Sequence, residues 1–514
     1  MHSVHERIHD HIEAGAASAP DHVIWYLGDD GWSHARIKQA VDSFATSLLT
    51  LGYKPGDRVG LLALNQPEWL IAFLACCKLG LTAVGLSVRY KPDEIAFILG
   101  QSGARGVVTL KAFGEVDYAA LFEGLKDRLE NLREVIVIGD AAPLAFRDLA
   151  AKAPDAAAIA AADAGVTGDT PCMIIYTSGT TGRPKGATLT HRSILASAYA
   201  QVQHTGLNRA DSLPLVLPLN HVGGLVCGAM ASLVAGAQMH LIPGFSPALL
   251  IDLLTRTKIT VLGAVPTMYT LLLAQPGFAA LDMRHLRLAL VGAAAPTHDL
   301  IGAMRAHFPR AEIMNVYGMS ETSGIVVMND PGESADHIAA SIGRPLGDFE
   351  ARIAGEDGRL LPPGEIGELQ MRGDAVIAAY HALPGATAET FIDGGWIRTG
   401  DLAYRDADGR IFLKGRRKEM YIQGGFNVYP VEVENVLADH PAVMIAAGIG
   451  VPDAILGEIG KYFIIPRPGS APTADELIAH CRTHLADYKV PRIIEFHAEL
   501  PMTPAGKVMK AALQ

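Results

Sequence analysis

Short apolar runs alternate with longer amphipathic stretches over residues 21–110, and this alternation constrains the fold more than any other feature. The runs RVGLLAL, LTAVGLS and ARGVVTL are typical of buried strands, and the stretches between them are typical of helices. Strands that are joined through helices by short connections form a parallel sheet covered by helices. The sequence therefore predicts an α/β fold that begins with a hairpin-like pair of strands and an amphipathic helix.

The pattern changes further along the chain. Residues 260–296 continue the α/β alternation, but residues 343–415 contain short alternating strands with Gly and Asp-Gly turns, which favours an antiparallel β-rich subdomain. Helical and strand patterns in the last part of the chain predict a small α+β domain. The Ala-rich segment 150–171 is interpreted as a surface connection.

The composition argues against several classes of protein. The 514 residues are 49% hydrophobic with a net charge of −11, which indicates several packed domains and disfavours a general nucleic-acid role. Five cysteines without a C-x-x-C pair favour a reduced, cytoplasmic compartment. The N-terminus has no apolar signal core, and prolines interrupt the uncharged segment 212–251, so we expect no membrane span. No feature indicates the oligomeric state, for which a homodimer is one candidate.

An apolar run, MIIY at 173–176, leads into ten residues made almost wholly of Gly, Ser and Thr, which also include Lys185. Glycines let such a loop fold close to a ligand, and backbone N–H groups together with a helix N-terminus attract anions. We therefore predict a strand, a polyphosphate-binding loop and a helix over HRSILASAYAQVQHT. A flexible linker is the alternative, and the Walker A pattern is absent. The predicted loop donors are Thr177, Ser178, Gly179, Thr180 and Thr181.

Five motifs resemble, in order, those of the adenylate-forming superfamily, which includes acyl-CoA synthetases (AMP-dependent synthetases and ligases), peptide-synthetase adenylation domains and beetle luciferases. They are YTSGTTGRPKG at 176–186, NVYGMSET at 315–322, TGD at 399–401, GRRKEMYIQGG at 415–425 and PMTPAGK at 501–507. The resemblance covers nearly the whole chain. It implies a large N-terminal AMP-binding domain over residues 1–416 and a small mobile lid domain over residues 417–514.

The second motif carries residue types that suit a nucleotide. Tyr317 offers a flat face for adenine, and the amide of Asn315 can pair with a purine edge; Val316 lies between them. The hydroxyl of Ser320 can donate to the α-phosphate or to the substrate carboxylate, and Glu321 is a hard oxygen ligand for Mg²⁺. A Tyr-Gly turn followed by a helix-capping Ser is the ordinary structural alternative.

The later motifs supply charges and a hinge. Asp401, predicted on a turn, can accept hydrogen bonds from both ribose hydroxyls, and Arg416 suits ribose and phosphate oxygens. The resemblance makes Lys418 the hinge of the C-terminal domain and Lys507 the lysine that reaches the carboxylate, ribose and α-phosphate. Gly424-Gly425 resembles the loop that lies along the CoA pantetheine arm. Without the resemblance, a Gly-Asp turn and a solvated lysine would be ordinary surface features.

The predicted acyl pocket is small and uncharged. His221 is expected at a strand end, and the resemblance implies that it lines this pocket, although Asn220 stands where the family has an aromatic residue. The small residues Gly292, Ala293 and Ala294 leave room for a flat ligand. The resemblance implies that this segment borders adenine and the acyl group.

The charges missing from this region restrict the substrate. Segment 212–251 has no Asp or Glu to pair with an ammonium, which disfavours an α-amino acid. The pocket segments offer no Arg for a second carboxylate, which disfavours dicarboxylates such as malonate. We expect a monocarboxylate with an apolar fatty, aryl or alicyclic body.

The implied reaction is that of a ligase of acid metabolism, fatty acids included. A carboxylate and Mg·ATP form acyl-AMP and pyrophosphate, and the thiol of CoA then attacks the acyl-AMP, so the implied cofactors are ATP, Mg²⁺ and CoA. An enzyme that loads a separate carrier protein is one alternative, and a non-catalytic nucleotide-binding homologue is another. Intact Lys185, Glu321, Asp401 and Lys507 argue against the second, and luciferase-type oxidation has no support in the sequence.

Overall fold

The structure, a computed structural model, describes residues 6–139, 142–177, 184–503 and 507–513. The described strands, in chain order, are β1 Val23–Leu27, β2 Asp30–Ser33, β3 Arg58–Leu62, β4 Thr82–Leu86, β5 Gly106–Leu110, β6 Ala112–Phe113, β7 Val116–Asp117, β8 Glu134–Ile138, β9 Pro171–Thr177, β10 Lys185–Thr190, β11 Ser212–Leu215, β12 Gln238–Leu241, β13 Val261–Ala264, β14 Leu288–Gly292, β15 Glu312–Met319, β16 Gly324–Met328, β17 Arg344–Pro345, β18 Glu350–Ala354, β19 Gly367–Arg372, β20 Phe391–Ile392, β21 Trp396–Arg405, β22 Ile411–Arg416, β23 Tyr421–Gln423, β24 Phe426–Val428, β25 Val443–Asp453, β26 Gly457–Pro466 and β27 Ile493–Phe496.

The described α-helices are α1 Asp10–Ser18, α2 His34–Thr50, α3 Pro67–Leu79, α4 Pro92–Ser102, α5 Tyr118–Leu125, α6 Phe146–Leu149, α7 Ala156–Asp163, α8 His191–Thr205, α9 Ala231–Ala235, α10 Pro247–Arg256, α11 Pro266–Leu273, α12 His298–His307, α13 Ala335–Ala340, α14 Pro384–Thr390, α15 Pro430–Ala438 and α16 Ala474–His484. A π-helix, Gly223–Met230, follows β11, and short 3₁₀ turns include Ser320–Thr322 and Lys510–Ala512. The chain forms two compact units. The first consists of Met1–Gly263, Gly318–Val326 and Gly373–Phe391, and the second of Ala264–Tyr317, Val327–Arg372 and Ile392–Gln514.

The first unit contains the predicted parallel sheet. Its six strands have the order β10-β9-β4-β3-β5-β8, and β3 runs parallel to both β4 and β5. The strands are buried on both faces because helices cover the sheet, which explains why their sequences are almost continuously apolar. The hairpin β1–β2 is also confirmed, since these strands pair antiparallel.

Local signals explain where the covering helices begin and end. Helix α3 starts with Pro67 in its first turn and stops at Gly80, which has the left-handed φ of 64°. Helix α8 begins after Thr190, whose hydroxyl accepts a hydrogen bond from the N–H of Ser193. The helix predicted over HRSILASAYAQVQHT is thereby confirmed at His191–Thr205.

The second unit combines parallel, antiparallel and mixed sheets. Strands β14 and β15 run parallel, whereas β18, β19, β21 and β22 form the antiparallel region expected for residues 343–415. The C-terminal sheet has the order β24-β23-β26-β25, with β27 parallel to β26. Residues 421–490 contribute a hydrophobic core of their own, which agrees with a small α+β domain at this end. The predicted boundary at residue 417 stays a prediction.

The Ala-rich segment 150–171 differs from its prediction. It was expected to be a connection, but it contains helix α7, whose first turn is capped by the Asp155 carboxylate accepting from the N–H of Ala158. Alanine has the highest helix propensity of all residues, so a capped alanine run forms a helix without an amphipathic pattern.

The uncharged segment 212–251 forms strands, the π-helix and α9, and most of its apolar residues are buried. Within the described ranges no helix is long and apolar enough to cross a membrane.

Candidate active site

Strands β9 and β10 form the stem of the predicted polyphosphate loop. They pair antiparallel with Lys185 opposite Thr177, and the Thr177 hydroxyl lies 3.4 Å from the carbonyl oxygen of Lys185. The predicted donors Ser178, Gly179, Thr180 and Thr181 lie outside the described residues. The expected order of strand, loop and helix is wrong, because β10 separates the loop from helix α8. A helix N-terminus directly after the loop therefore does not supply the anion site.

Ser320 and Glu321 form the start of a 3₁₀ turn that follows β15 directly. Both are buried, with 5% and 7% of their surfaces exposed. The turn ends at Ser323, which has a left-handed φ of 49°. Such a conformation is strained for a residue with a side chain, and strain of this kind clusters at functional sites. The backbone thus fixes the direction of the Glu321 carboxylate rather than leaving it on a flexible loop.

Tyr380 links this carboxylate to the loop lysine, and the sequence reasoning missed it. Its hydroxyl donates a 2.6 Å hydrogen bond to Glu321 Oε1, and the Lys185 ammonium lies 5.2 Å from the centre of its ring. Burial raises the pKa of Tyr380 and the charge of Glu321 raises it further, so the hydroxyl keeps its proton. We call Lys185, Glu321 and Tyr380 the first group. Tyr380 is 59 residues from Glu321 in sequence, so no local pattern could have indicated the contact.

Strands β14 and β15 position the predicted adenine segment within the second unit. Gly292 pairs with Val316, and a Cβ atom on Gly292 would lie 2.4 Å from the Val316 carbonyl oxygen. Glycine is therefore required there for the strands to approach. The next residue, Ala293, has a left-handed φ of 69° and is exposed, as is Ala294. The chain turns sharply at this strand end, and the predicted room for a flat ligand stays a prediction.

Asn315 does not have the role that the sequence predicted. Its side-chain amide donates hydrogen bonds of 3.2 and 3.1 Å to the carbonyl oxygens of Ile338 and Ser341, and it is 3% exposed. Its backbone N–H donates a hydrogen bond to the side-chain oxygen of Asn329. Because both amide hydrogens are used within the protein, they are not presented to a purine, and Asn315 instead fixes β15.

A hydrogen-bonded chain joins three predicted nucleotide residues of the second unit. The Tyr317 hydroxyl donates a 2.5 Å hydrogen bond to Asp401 Oδ2, and Arg416 Nε lies 3.3 Å from Asp401 Oδ1. Burial and the charge of Asp401 hold the pKa of Tyr317 well above its ordinary value. We call Tyr317, Asp401, Arg416 and Lys507 the second group.

Asp401 lies in a bulged strand and not, as predicted, on a turn. Three residues, 399–401, oppose a single residue of β19, and Gly400 has a left-handed φ of 74°. The Thr399 hydroxyl stabilises the bulge, since it donates a hydrogen bond to the Leu369 carbonyl oxygen and accepts one from the N–H of Asp401. Bulges redirect side chains next to active sites. This bulge directs the carboxylate that was expected to hold ribose.

Lys507 is half-buried beside the same carboxylate. Burial lowers the pKa of Lys507 and Arg416 lowers it further, the charges of Asp401 and Glu419 act in the opposite direction, and the resulting pKa is about 8. Its backbone is fixed by Thr503, whose N–H donates to the Lys507 carbonyl oxygen at 2.6 Å. The second group therefore gathers the residues predicted for adenine, ribose and the α-phosphate.

The predicted hinge and CoA residues follow β22. Lys418 is exposed in a turn, in which the N–H of Glu419 donates to the Arg416 carbonyl oxygen. Gly424 and Gly425 have φ values of 59° and 85° and connect β23 to β24 as a tight hairpin. Their roles at the hinge and along CoA stay predictions.

His221 lies in a turn beyond strand β11, not at the strand's end. Its ring Nδ1 accepts a hydrogen bond from the N–H of Gly223, at the start of the π-helix. A Cβ atom on Gly224 would lie 2.2 Å from the Pro218 carbonyl oxygen, so the turn closes only around glycine. π-Helical segments are frequent at functional sites, and periodicity did not predict this one.

A parallel sheet covered by helices and, in the second unit, a strand bulge that directs the Asp401 carboxylate are consistent with the class of nucleotide-dependent enzymes. The sequence profile described as AMP-binding enzyme matches residues 12–381, and the profile described as AMP-binding enzyme C-terminal domain matches residues 432–507. The chain belongs to the AMP-binding, adenylate-forming enzyme family.

Similar proteins cover almost the whole chain. A Mycobacterium tuberculosis CoA ligase named for a methyl-dioxo-octahydroindenyl propanoyl group is 35% identical over 96% of both chains. A feruloyl-CoA synthase of an Amycolatopsis species is 35% identical over 95% of this chain and 94% of its own. The crystal structure of the anthranilate CoA ligase AuaEII in complex with anthranoyl-AMP superposes with a TM-score of 0.91, at 30% identity over 99% of this chain and 96% of that one.

Proposed function

We propose that this protein activates an apolar monocarboxylic acid with ATP and transfers the acyl group to CoA. The chain is an AMP-forming acid–thiol ligase, and the acid belongs to the fatty, aryl or alicyclic class. The observation that carries the proposal is the second group, in which the Asp401 carboxylate accepts a hydrogen bond from Tyr317 and pairs with Arg416, next to the half-buried Lys507. A cation and a carboxylate held together in this way suit the α-phosphate and ribose of an adenylate.

Glu321 fits the magnesium ion that accompanies ATP in such reactions. Its carboxylate is buried and one oxygen already accepts from Tyr380, so its direction is fixed before any ion binds. Mg²⁺ prefers one or two carboxylates together with phosphate oxygens and waters. The ion supplies positive charge to the phosphates, and Glu321 would hold it.

Adenylation requires a carboxylate to attack the negatively charged α-phosphate. The substrate carboxylate is already ionised at neutral pH, so the protein needs no general base. The task of the chain is to position the two reactants and to neutralise charge as the bond forms. Lys507 and Ser320 would act on the α-phosphate and the carboxylate, and Lys185 with the loop donors would hold the departing pyrophosphate.

The second half-reaction forms the thioester. The CoA sulfur attacks the acyl carbonyl, the bond from that carbon to the phosphate oxygen breaks, and AMP leaves. Lys507 is needed for adenylation and obstructs thiolation, so we propose that the C-terminal domain turns about Lys418. Gly424 and Gly425 would then lie along the pantetheine arm. Turning about a few residues is a common way to give one site two working states.

The charge of the pocket segments supports an apolar acid body. His221, Gly292, Ala293 and Ala294 offer no carboxylate for an ammonium and no guanidinium for a second carboxylate. The relatives described above are named for acids with a ring or an aromatic body. An acid of that kind is therefore the first substrate class to test, with medium-chain fatty acids second.

The identity of the acceptor is the main alternative. A separate carrier protein could replace CoA, since its phosphopantetheine ends in the same thiol. The relatives named as CoA ligases favour CoA. A cytoplasmic location and a homodimer remain predictions.

An acid panel tests the function directly. Pyrophosphate release would be measured with Mg·ATP for aryl-propenoic, alicyclic-propanoic and medium-chain fatty acids, with and without CoA. Malonate and an α-amino acid serve as charged controls. We expect CoA-dependent turnover with one apolar class and none with the controls. Acyl-AMP that CoA never consumes would contradict the CoA acceptor, and an absence of pyrophosphate with every acid would contradict the enzyme itself.

A further inference from the structure

The C-terminal tail that carries Lys507 is held by backbone hydrogen bonds within itself, by the apolar packing of Val508 and by the ion pairs of Lys510. We define the tail as residues 501–503 and 507–510. Met502 pairs with Val508, and the N–H of Met509 donates to the Pro501 carbonyl oxygen at 2.8 Å. These bonds give the tail its shape, and Val508 packs against the apolar cluster that includes Ala447 and Phe463.

Lys510 makes the longer-range attachment. Its ammonium lies 2.8 Å from Glu419 Oε2 and 2.7 Å from Glu434 Oε1. Its side chain is 19% exposed, so the two ion pairs are mostly shielded from water. Burial alone would lower the pKa of Lys510, but the charges of Glu434 and Glu419 raise it above its ordinary value. The ammonium therefore stays charged over the working range of the enzyme.

The two partners of Lys510 come from different elements. Glu434 lies on α15, and its Oε1 also accepts a 2.7 Å hydrogen bond from the N–H of Gly448 on β25. Glu419 directly follows Lys418, the predicted hinge. One ammonium thus joins the tail to α15 and to the segment just after the predicted hinge.

The charge of Glu419 also acts on the Lys507 ammonium. The charged groups that act on Lys507 are Arg416, Asp401 and Glu419, and Glu419 favours its protonated form. Lys510 neutralises part of that carboxylate charge, because it pairs with the same residue. Lys510 therefore reduces the negative charge that Glu419 presents to Lys507.

We propose that Lys510 is a positioning residue whose two ion pairs hold the tail where Lys507 can act in adenylation. The inference rests on the proposed function, in which Lys507 serves the first half-reaction only. Lys510 itself contacts neither substrate in this account. Its effect is confined to acyl-AMP formation, and the thiolation of acyl-AMP supplied ready-made does not need it.

The test compares Lys510→Met with Lys489→Met in the intact protein. Lys489 is a matched control, because it is also 19% exposed and forms a 2.7 Å ion pair with Glu432 in the same domain. We expect Lys510→Met to lower the kcat of pyrophosphate release by about tenfold to about a hundredfold, since small misplacements of a catalytic group have effects of this size. Lys489→Met should stay within about twofold of the wild type, and Lys510→Arg should recover most of the rate.

The pH profile separates positioning from general stabilisation. Lys510→Met leaves Glu419 unpaired beside Lys507, so the alkaline limb of kcat/KM for adenylation should move to higher pH. Glu419→Gln removes the same charge, so its limb should move to lower pH. Loss of stability alone would lower rates without moving either limb.

Each outcome is decisive for one claim. If Lys510→Met matches Lys489→Met in rate and in pH profile, the inference is wrong. If Lys510→Met slows thiolation of supplied acyl-AMP as much as adenylation, Lys510 has a structural role and the inference is again wrong. If the wild type forms no acyl-AMP with any acid, the proposed function fails first, and the two failures are thereby distinguished.

Discussion

Lys507 is half-buried, so its charge is sensitive to pH near the working range of an enzyme. Its pKa is lowered to about 8, which means that the ammonium is present below this pH and is lost as the pH rises through it. We expect kcat/KM for acyl-AMP formation to fall above about pH 8, since this parameter reports the free enzyme. Pyrophosphate release measured across neutral and alkaline pH checks the limb.

A lysine-to-arginine exchange identifies the group that titrates. Arginine keeps its proton at all accessible pH values. Lys507→Arg should therefore be slower but should lose the alkaline limb near pH 8. A limb that persists unchanged in this variant would assign the titration to another residue.

Tyr380 holds the Glu321 carboxylate, and replacing it by phenylalanine removes a single oxygen atom. We expect Tyr380→Phe to lower adenylation by about tenfold, equivalent to about 1.4 kcal/mol, because a hydrogen bond to a charged group is lost. The measurement is the rate of pyrophosphate release as a function of magnesium concentration. Tyr404→Phe is the control, since the Tyr404 ring stacks on Phe412. Equal rates in both variants would contradict the role of Tyr380.

At the scale of elements, the bulge in β21 directs the side chain of Asp401. Gly400 has a left-handed φ, and no atom lies within 4 Å of the position that a Cβ would occupy, so alanine there would strain the backbone without a clash. Gly400→Ala should cost about 1–2 kcal/mol and displace Asp401. Gly409, in the turn before β22, has a similar φ of 86° and serves as the control.

The two glycine variants separate stability from binding. Both should lower the melting temperature by a similar amount, because the backbone strain is of the same kind. Only Gly400→Ala should raise the KM for ATP. If Gly409→Ala raised it equally, the bulge would have no special role in directing Asp401.

The sequence predicted correctly the elements that are marked by local signals such as caps and continuous apolar runs. Helix α8 has a capping Thr and a terminal glycine, and the strands of residues 58–110 are continuous apolar runs, so both were predictable. Strand β10 was missed because KGATLT has no apolar run and its pairing with β9 is a tertiary property. Helix α7 was missed because an alanine run has no amphipathic pattern.

Motifs indicated some of the residues that the structure brings together, but they did not indicate the contacts between those residues. Tyr317 and Asp401 were identified from separate motifs, yet their hydrogen bond spans 84 positions of sequence. Asn315 was assigned wrongly because its amide donors are used by carbonyl groups that no local pattern reveals. Tyr380 carries no motif, and only the fold places it beside Glu321.

At the scale of the whole molecule, the proposed change from adenylation to thiolation requires a hinge. The first family profile ends at residue 381 and the second begins at residue 432, so the predicted hinge Lys418 lies between them. Proline restricts φ at its own position and the conformation of the preceding residue. We expect Lys418→Pro to retain acyl-AMP formation and to lose most CoA-dependent turnover, whereas Lys418→Ala should retain both.

Product analysis checks this hinge prediction. Lys418→Pro should accumulate acyl-AMP in the presence of CoA, and chromatography of the quenched reaction would detect it. If acyl-CoA formed at the wild-type rate, turning about residue 418 would be unnecessary. If adenylation and thiolation fell together, the variant would have disturbed the fold and Lys418→Ala would decide the matter.

The most direct test of the central claim measures the two half-reactions separately in the wild type and in Lys507→Ala. Acyl-AMP formation is followed by pyrophosphate release, and thiolation is followed from chemically prepared acyl-AMP and CoA. We predict that Lys507→Ala lowers adenylation by about 10²–10³-fold, the size expected for loss of one charge-stabilising donor, and leaves thiolation nearly unchanged. Equal loss in both half-reactions, or no loss in adenylation, would contradict the account.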